Sequence, residues 1–119
     1  MFMEQKRTLS LLVDNTPGLL SRVAGLFSRR GYNIETITAG VTADPRYTRM
    51  TVVLYCSDEM ILEQIKKQLA KLVDVRDIKE LKPDESVRRE LMLVKIRVNE
   101  NERRNVIAIS DVFRGRIVD

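Results

Sequence analysis

Apolar and polar positions along the first 31 residues predict a strand followed by a helix. Residues 7–13 alternate with the two-residue period of a half-buried strand, and Leu9, Leu11 and Val13 form its apolar side. Residues 14–18 are dense in turn-forming residue types. The next apolar positions recur at helical spacing and predict a helix that ends near Gly31. They are Leu19, Leu20, Val23, Ala24, Leu26 and Phe27.

Four further elements complete an α+β pattern. Residues 34–41 and 47–56 predict a hairpin, and residues 73–81 predict a fourth strand. Between them lies a second amphipathic helix, whose outer face carries Glu63 and Lys67 four residues apart, a spacing that favours an ion pair. Its apolar stripe is Ile61, Leu62, Ile65, Leu69 and Leu72. The order βαββαβ predicts a ferredoxin-like fold, an antiparallel sheet with two helices on one face.

A polar segment with a proline follows and predicts a domain boundary. We assign residues 1–82 to the first domain, 83–87 to a linker and 88–119 to the beginning of a second domain. There the pattern starts again, with a predicted strand over Leu91–Val98 and a helical stripe at Val106, Ile109 and Phe113. Ile117 and Val118 would start another strand. The second part therefore predicts a partial ferredoxin-like unit.

Composition restricts the chemistry. Charged residues make up 32% of the chain with both signs interspersed, so the net charge of +4 permits an anionic partner without demanding one. Histidine is absent and Cys56 is the single cysteine, which removes the usual general base and any multi-thiolate metal site. The polar start MFMEQKRT and the lack of a long apolar run predict neither a secretory signal nor a membrane span. We expect a cytoplasmic protein that is not itself an enzyme.

The turn before the first helix is the most informative stretch. A helix N-terminus presents unpaired N–H groups and the positive end of the helix dipole, which favours a carboxylate. Gly18 lets a ligand approach the backbone, while the amides of Asn15 and Asn33 suit the ammonium and carboxylate of an amino acid. Taken alone, the turn residues are better explained by a plain capping turn. They become a site if strand geometry, or edge pairing of two chains, brings the two asparagines to one crevice.

Two segments carry a family resemblance: residues 14–23, DNTPGLLSRV, and residues 25–35, GLFSRRGYNIE. Together with residues 49–52, 62–69, 71–75, 89–96 and 113–115, they resemble the ACT domain and following region of acetolactate (acetohydroxyacid) synthase small subunits. The resemblance implies a homodimeric sensor of valine, or of leucine or isoleucine, that feeds back on branched-chain amino acid biosynthesis. By position, Asn15, Gly18 and Asn33 match its effector-contacting residues. Their neighbours in the implied site are Thr16, Pro17, Leu19, Leu20 and Ile34.

The same resemblance implies that this chain carries no cofactor. Thiamine diphosphate, Mg²⁺ and FAD are expected on the catalytic large subunit, the partner that the small subunit activates. Members of the family usually continue for several tens of residues beyond the position of Asp119, so we expect the second domain to be incomplete. Neither nucleic acid nor membrane is an expected partner.

Three alternatives remain open at this point. An acylphosphatase-like enzyme of the same fold would need Arg22, Arg49 and Asn33 to converge on a phosphate, although no phosphate-loop spacing accompanies them. An RNA-binding module shares the strand order, but aromatics are only 5% of residues, and Phe27 and Phe113 fall on helix stripes that favour core packing. An ACT sensor of another pathway would bind an amino acid without binding acetolactate synthase.

Overall fold

The computed structural model describes residues 5–118, and the chain divides into two units between Arg88 and Arg89. The first unit contains four strands and two helices in the order β1 (Lys6–Asp14), α1 (Leu19–Arg29), β2 (Ile34–Val41), β3 (Tyr47–Tyr55), α2 (Glu59–Ala70) and β4 (Val75–Glu80). The strands form one antiparallel sheet with the order β2-β3-β1-β4. The predicted ferredoxin-like βαββαβ fold is confirmed.

The core lies between the helices and one face of the sheet. Alternate residues of β1 and β3 are fully buried there, and the apolar stripes of both helices close over them. Its largest buried side chain is Phe27, whose ring meets Tyr32 edge-on with centroids 6.4 Å apart. The other members with almost no exposed surface are Leu9, Leu11, Val13, Val23, Met50, Val52, Leu54, Leu62, Ile65 and Leu69.

The register of the sheet fixes which loops lie together. Asp14 pairs with Tyr47 at one end of the sheet, and Lys6 pairs with Tyr55 at the other. Because β1 is a central strand, paired on both sides, Thr8 and Ser10 on its second face are also buried. The edge strands are β2 and β4.

A short 3₁₀ helix, Pro83–Glu85, follows β4 within the segment where we placed the linker. The domain limits at residues 82, 83–87 and 88 stay a prediction. On α2, the predicted ion pair of Glu63 with Lys67 is replaced by one with Lys66, at 3.1 Å. Lys66 also lies 3.7 Å from Glu80 of β4, so its ammonium serves two carboxylates, which favours this rotamer.

In the second unit, only the helix is present among the described residues. Helix α3 (Glu100–Val112) begins with a capping box, in which the Asn99 side chain accepts from the Glu102 N–H at 2.9 Å. The predicted strand over Leu91–Val98 is wrong, as is a strand start at residues 117–118, because no ladder of the described chain includes them. A strand needs a hydrogen-bonding neighbour, and Leu91, at 93% exposure, has none beside it. Phe113 caps the helix and is 80% exposed, so the prediction of core packing is also wrong for this residue.

Candidate functional site

Helix α1 starts from a glycine turn that leaves its first amides open. Gly18 is the N-cap residue with φ 77°, in the left-handed region, and it provides no side-chain cap. The Leu19 N–H reaches the Thr16 carbonyl oxygen at 3.4 Å, which is a long hydrogen bond. The amides of Leu20 and Ser21 hold the next positions, where a helix supplies no acceptor of its own. With no acidic residue in the first turn, this end of α1 can accept an anion.

Two side chains of the turn are already engaged with the protein. Asn15 donates from Nδ2 to the Pro45 carbonyl oxygen at 3.2 Å, and its N–H donates to the Arg46 carbonyl oxygen at 2.8 Å. These bonds tie the turn to the β2–β3 hairpin and leave Oδ1 of Asn15 as its available group. Thr16 donates from Oγ1 to the Asp74 carboxylate at 3.1 Å. What the turn offers a ligand is therefore mainly backbone.

The apolar residues of the predicted site separate into buried and exposed. Leu19 is only 6% exposed and belongs to the core, so its side chain is unavailable to a ligand. Leu20 is 53% exposed beside the open amides, and Pro17 is exposed on the preceding turn. Ile34 is partly buried against the core. Leu20 is thus the apolar contact that the turn itself supplies.

Asn33 lies at the opposite end of the sheet from Asn15. It precedes Ile34, which pairs with Leu54 near the end of β3, whereas the turn follows Asp14, which pairs with Tyr47 at the start of β3. Eight residues of β3 span about 25 Å between these ends. A single chain therefore does not bring the two asparagines to one crevice.

Arginines compensate the acidic residues around the turn. Arg76 donates from Nε and Nη2 to the two carboxylate oxygens of Asp14, each at 2.8 Å, and this lowers the pKa of Asp14 below its ordinary value. Arg22 pairs with Asp74 at 2.7 Å. Asp14 and Asp74, which lie beside the turn, are thus each paired with an arginine.

A second ionic cluster lies at the other end of the sheet and has a structural role. The guanidinium of Arg7 lies 2.7 Å from a carboxylate oxygen of Glu59 and 2.7 Å from one of Glu80. Hydrogen bonding to Glu59, ahead of the effect of Glu80, raises the pKa of Arg7, while Arg7 lowers the pKa of Glu59. The cluster joins β1, the start of α2 and β4.

The residues of the acylphosphatase-like alternative are not assembled in the structure. Arg22 is engaged at the turn, Arg49 donates to Ser10 Oγ at 3.2 Å on the sheet, and Asn33 lies at the far end, so the three do not converge on a phosphate. Within residues 5–118, no group of acidic or cysteine side chains has the geometry of a metal site. None of the helices in that range is long and apolar enough to cross a membrane.

Comparison with known proteins decides the family. Residues 9–77 match the acetohydroxyacid synthase small subunit-like ACT domain, and residues 89–119 match the family described as the small subunit of acetolactate synthase. The chain belongs to the acetolactate synthase small-subunit family.

Relatives and solved structures agree with this assignment. The chain is 50% identical over 112 residues to a probable acetolactate synthase small subunit of Methanothermobacter thermautotrophicus, covering 93% of this chain and 66% of the relative. It is 51% identical over 114 residues to the isozyme 3 small subunit of Escherichia coli, covering 96% and 69%. The chain thus spans about two thirds of these relatives.

The small subunit of Thermotoga maritima superposes with a TM-score of 0.80 at 32% identity, covering 97% of this chain and 71% of that one. An ACT domain of a GTP pyrophosphokinase from Chlorobium tepidum, at 16% identity and a TM-score of 0.57 over 66% of this chain and all of that one, shares the fold.

Sequence reasoning missed one contact at the turn of this small-subunit chain. Asp74 is noted there only within a family segment, and Arg22 only within another family segment and as a phosphate ligand of an alternative enzyme. Their hydrogen bond joins positions 52 residues apart, so no local periodicity indicates it. The sequence feature closest to predicting this contact is that Asp74 lies in the turn before β4, because β4 pairs with β1.

Proposed function

We propose that this chain is a non-catalytic regulatory subunit of acetolactate synthase that binds valine, or leucine or isoleucine, between two copies of its ACT unit. The bound amino acid exerts feedback inhibition on the catalytic large subunit, which carries thiamine diphosphate, Mg²⁺ and FAD and which this chain activates. Membership of the small-subunit family supports the partner and the pathway. The open helix N-terminus beside an exposed leucine supports the class of effector.

The effector's carboxylate binds the start of α1. The amides of Leu20 and Ser21 donate to it, and the left-handed Gly18 leaves room for it against the backbone. The branched side chain packs on Leu20. Because Nδ2 of Asn15 is used by Pro45, its Oδ1 is the acceptor for the effector's ammonium.

The separation of Asn15 from Asn33 is the observation that favours a site between chains. β2 is an edge strand whose residues are exposed except for Ile34 and Ile37, which are partly buried. Antiparallel pairing of two β2 strands sets the first residue of one beside the last residue of the other. Val41, at the end of β2, pairs with Thr48, next to the Asp14–Tyr47 pair that precedes the turn. Asn33 of a second copy would thus reach the Gly18 turn of the first.

Mixing two variants that each bind valine weakly tests whether the site lies between chains. Gly18→Asp places a carboxylate against the anionic effector, and Asn33→Ala removes a hydrogen bond to a charged group, worth about 1.5–3 kcal/mol or ten- to a hundredfold in affinity. Each homodimer should bind valine weakly by calorimetry. After subunit exchange, half of the dimers hold one intact site, so about one quarter of all sites recover wild-type affinity.

Recovery on mixing is the decisive result. If the site lay within one chain, every mixed dimer would still carry a defect in each site, and no recovery would occur. Light scattering with valine should give about twice the chain mass. Wild-type affinity in both folded variants would remove the turn and Asn33 from the site.

The second unit is our candidate for the surface that contacts the catalytic subunit. Helix α3 and its cap expose Ile109 at 57%, Val112 at 78% and Phe113 at 80%. Phe113→Ser should reduce activation of acetolactate formation by the large subunit. Val73→Ser is the matched control, because Val73 is also apolar and 87% exposed but lies in the ACT unit. Equal activation by the two variants would contradict the assignment.

A further inference from the structure

The ion pair of Arg22 with Asp74 holds residues 14–18, which we call the effector turn. We call the group of Thr16, Arg22 and Asp74 the clamp. Oδ2 of Asp74 accepts from Nε of Arg22 at 2.9 Å and from its Nη2 at 2.7 Å, while Oδ1 accepts from Thr16 Oγ1 at 3.1 Å. Nη2 of Arg22 also donates to Thr16 Oγ1 at 3.1 Å. The hydroxyl of Thr16 therefore donates once and accepts once, closing a ring of hydrogen bonds.

The clamp also fixes the peptide plane that faces the ligand. Nη1 of Arg22 donates to the Pro17 carbonyl oxygen at 3.2 Å. That carbonyl shares a planar trans peptide with the N–H of Gly18, so the N–H must point the opposite way. Among residues 5–118 the Gly18 N–H has no acceptor, which leaves it available beside the first-turn amides.

Asp74 anchors the clamp to the sheet. It lies in the turn between α2 and β4, its side chain is 17% exposed, and its carbonyl oxygen accepts from the Asp14 N–H at 2.8 Å. The effector turn is thereby held at its first residue through the backbone and at Thr16 and Pro17 through side chains. A loop held before the ligand arrives loses less conformational entropy on binding.

We propose that Arg22 and Asp74 are positioning residues of the effector site, holding the Gly18 turn in the conformation whose amides accept the carboxylate. The inference rests on the proposed function, because it concerns the affinity for that effector. Neither residue needs to touch the ligand: the planar fork of the guanidinium and its three acceptors do the positioning.

Valine calorimetry on variants of the full chain tests whether Arg22 and Asp74 position the turn. The variants distinguish the planar geometry of the Arg22 guanidinium from its positive charge. Arg22→Met and Asp74→Asn should each weaken valine binding about tenfold or more, the value of a hydrogen bond to a charged group. Arg22→Lys keeps the charge but loses the fork, and should weaken binding about as much as Arg22→Met. The double variant Arg22→Met/Asp74→Asn should lose little more valine affinity than either single variant, because both substitutions break the same contact.

Arg76→Met is the matched control. It removes a two-bonded arginine–aspartate pair at the same end of the sheet that contacts neither Thr16 nor Pro17. It should change valine affinity by less than about twofold, as expected for an exposed pair, while lowering the melting temperature as the clamp variants do. Equal loss of affinity in Arg76→Met, full affinity in Arg22→Lys, or wild-type affinity in Arg22→Met would each overturn the inference.

Amide exchange in the ligand-free chain separates this inference from the proposed function. Arg22→Met should speed exchange at Thr16 and Leu19, whose N–H groups are hydrogen-bonded within the turn, while Arg76→Met should not. If wild-type dimers bind no branched-chain amino acid, the proposed function fails, and exchange alone then decides whether the clamp holds the turn. Unchanged exchange in Arg22→Met would overturn it whatever the effector.

Discussion

Replacing Gly18 by alanine probes the geometry of the effector turn. The residue has φ 77°, a conformation in which a Cβ crowds the following carbonyl and is disfavoured by about 1–2 kcal/mol. The added Cβ would lie 3.2 Å from Nη1 of Arg22, tighter than most real contacts. Because this neighbour is the tip of a flexible side chain, the guanidinium should move by a few tenths of an ångström. That movement lengthens its bond to the Pro17 carbonyl.

Gly31→Ala is the matched control for stability. Gly31 has φ 68° at the end of α1, and a Cβ there would meet nothing within 4 Å. Both variants should therefore lose about 1–2 kcal/mol of unfolding free energy, or on the order of 4–8 °C of melting temperature per kcal/mol. Only Gly18→Ala disturbs the clamp, so only it should speed amide exchange at Thr16 and Leu19, the hydrogen-bonded amides of the turn.

Urea unfolding followed by circular dichroism, at one fixed protein concentration, measures the loss of unfolding free energy. Calorimetry measures valine affinity, and Gly18→Ala should bind valine more weakly than the wild type. An unchanged unfolding midpoint in Gly18→Ala would refute the left-handed turn. Wild-type valine affinity in a variant that has lost stability would refute the link between this turn and the effector.

Three further predictions concern the rest of the chain. Phe27→Ala should cost about 3–5 kcal/mol of unfolding free energy in urea, because the ring is the largest fully buried side chain; a loss below about 1 kcal/mol would contradict the core. Asn99→Ala should destabilise α3 by about 1 kcal/mol and speed exchange of its first amides, with α2 as the unaffected internal reference. Arginines lower the pKa of Asp14 and of Glu59, so their stabilisation is complete above the ordinary values of 3.8 and 4.5 and is lost as pH falls through the lowered values. The melting temperature should hold from neutrality and fall below about pH 4, less steeply in Arg76→Met; a flat profile would contradict the pairs.

Periodicity predicted the first unit because its helices and central strands set their apolar side chains toward one core. The apolar alternation of residues 7–13 became β1, extended by one residue at each end, and the helical stripe from Leu19 became α1. The same reasoning was wrong for Leu91–Val98, whose residues are apolar enough for a strand. A strand also needs a neighbour with which to exchange hydrogen bonds, and a local pattern cannot supply one.

The site was only partly predictable, for a related reason. The turn residues are consecutive in sequence, so their chemistry was visible, and the resemblance pointed to Asn33. The partners that shape the turn come from distant positions: Pro45 reaches Asn15 across 30 residues, and Asp74 reaches Arg22 across 52. Those contacts depend on the order of strands in the sheet. A capping turn and a clamped turn therefore share one sequence pattern.

The central position of β1 has a consequence for how the ACT unit folds during synthesis. β1, the first strand of the unit to be synthesised, pairs with β4, the last one, with Leu9 opposite Glu80. The β2–β3 hairpin can form early and pair with β1 through β3, but the other side of β1 stays unpaired until residue 80 has emerged. Long-range pairing of this kind slows folding and leaves an exposed edge open to association with other chains. We expect nascent chains that stop before β4 to depend on chaperones. The sheet should be completed only when β4 has left the ribosome.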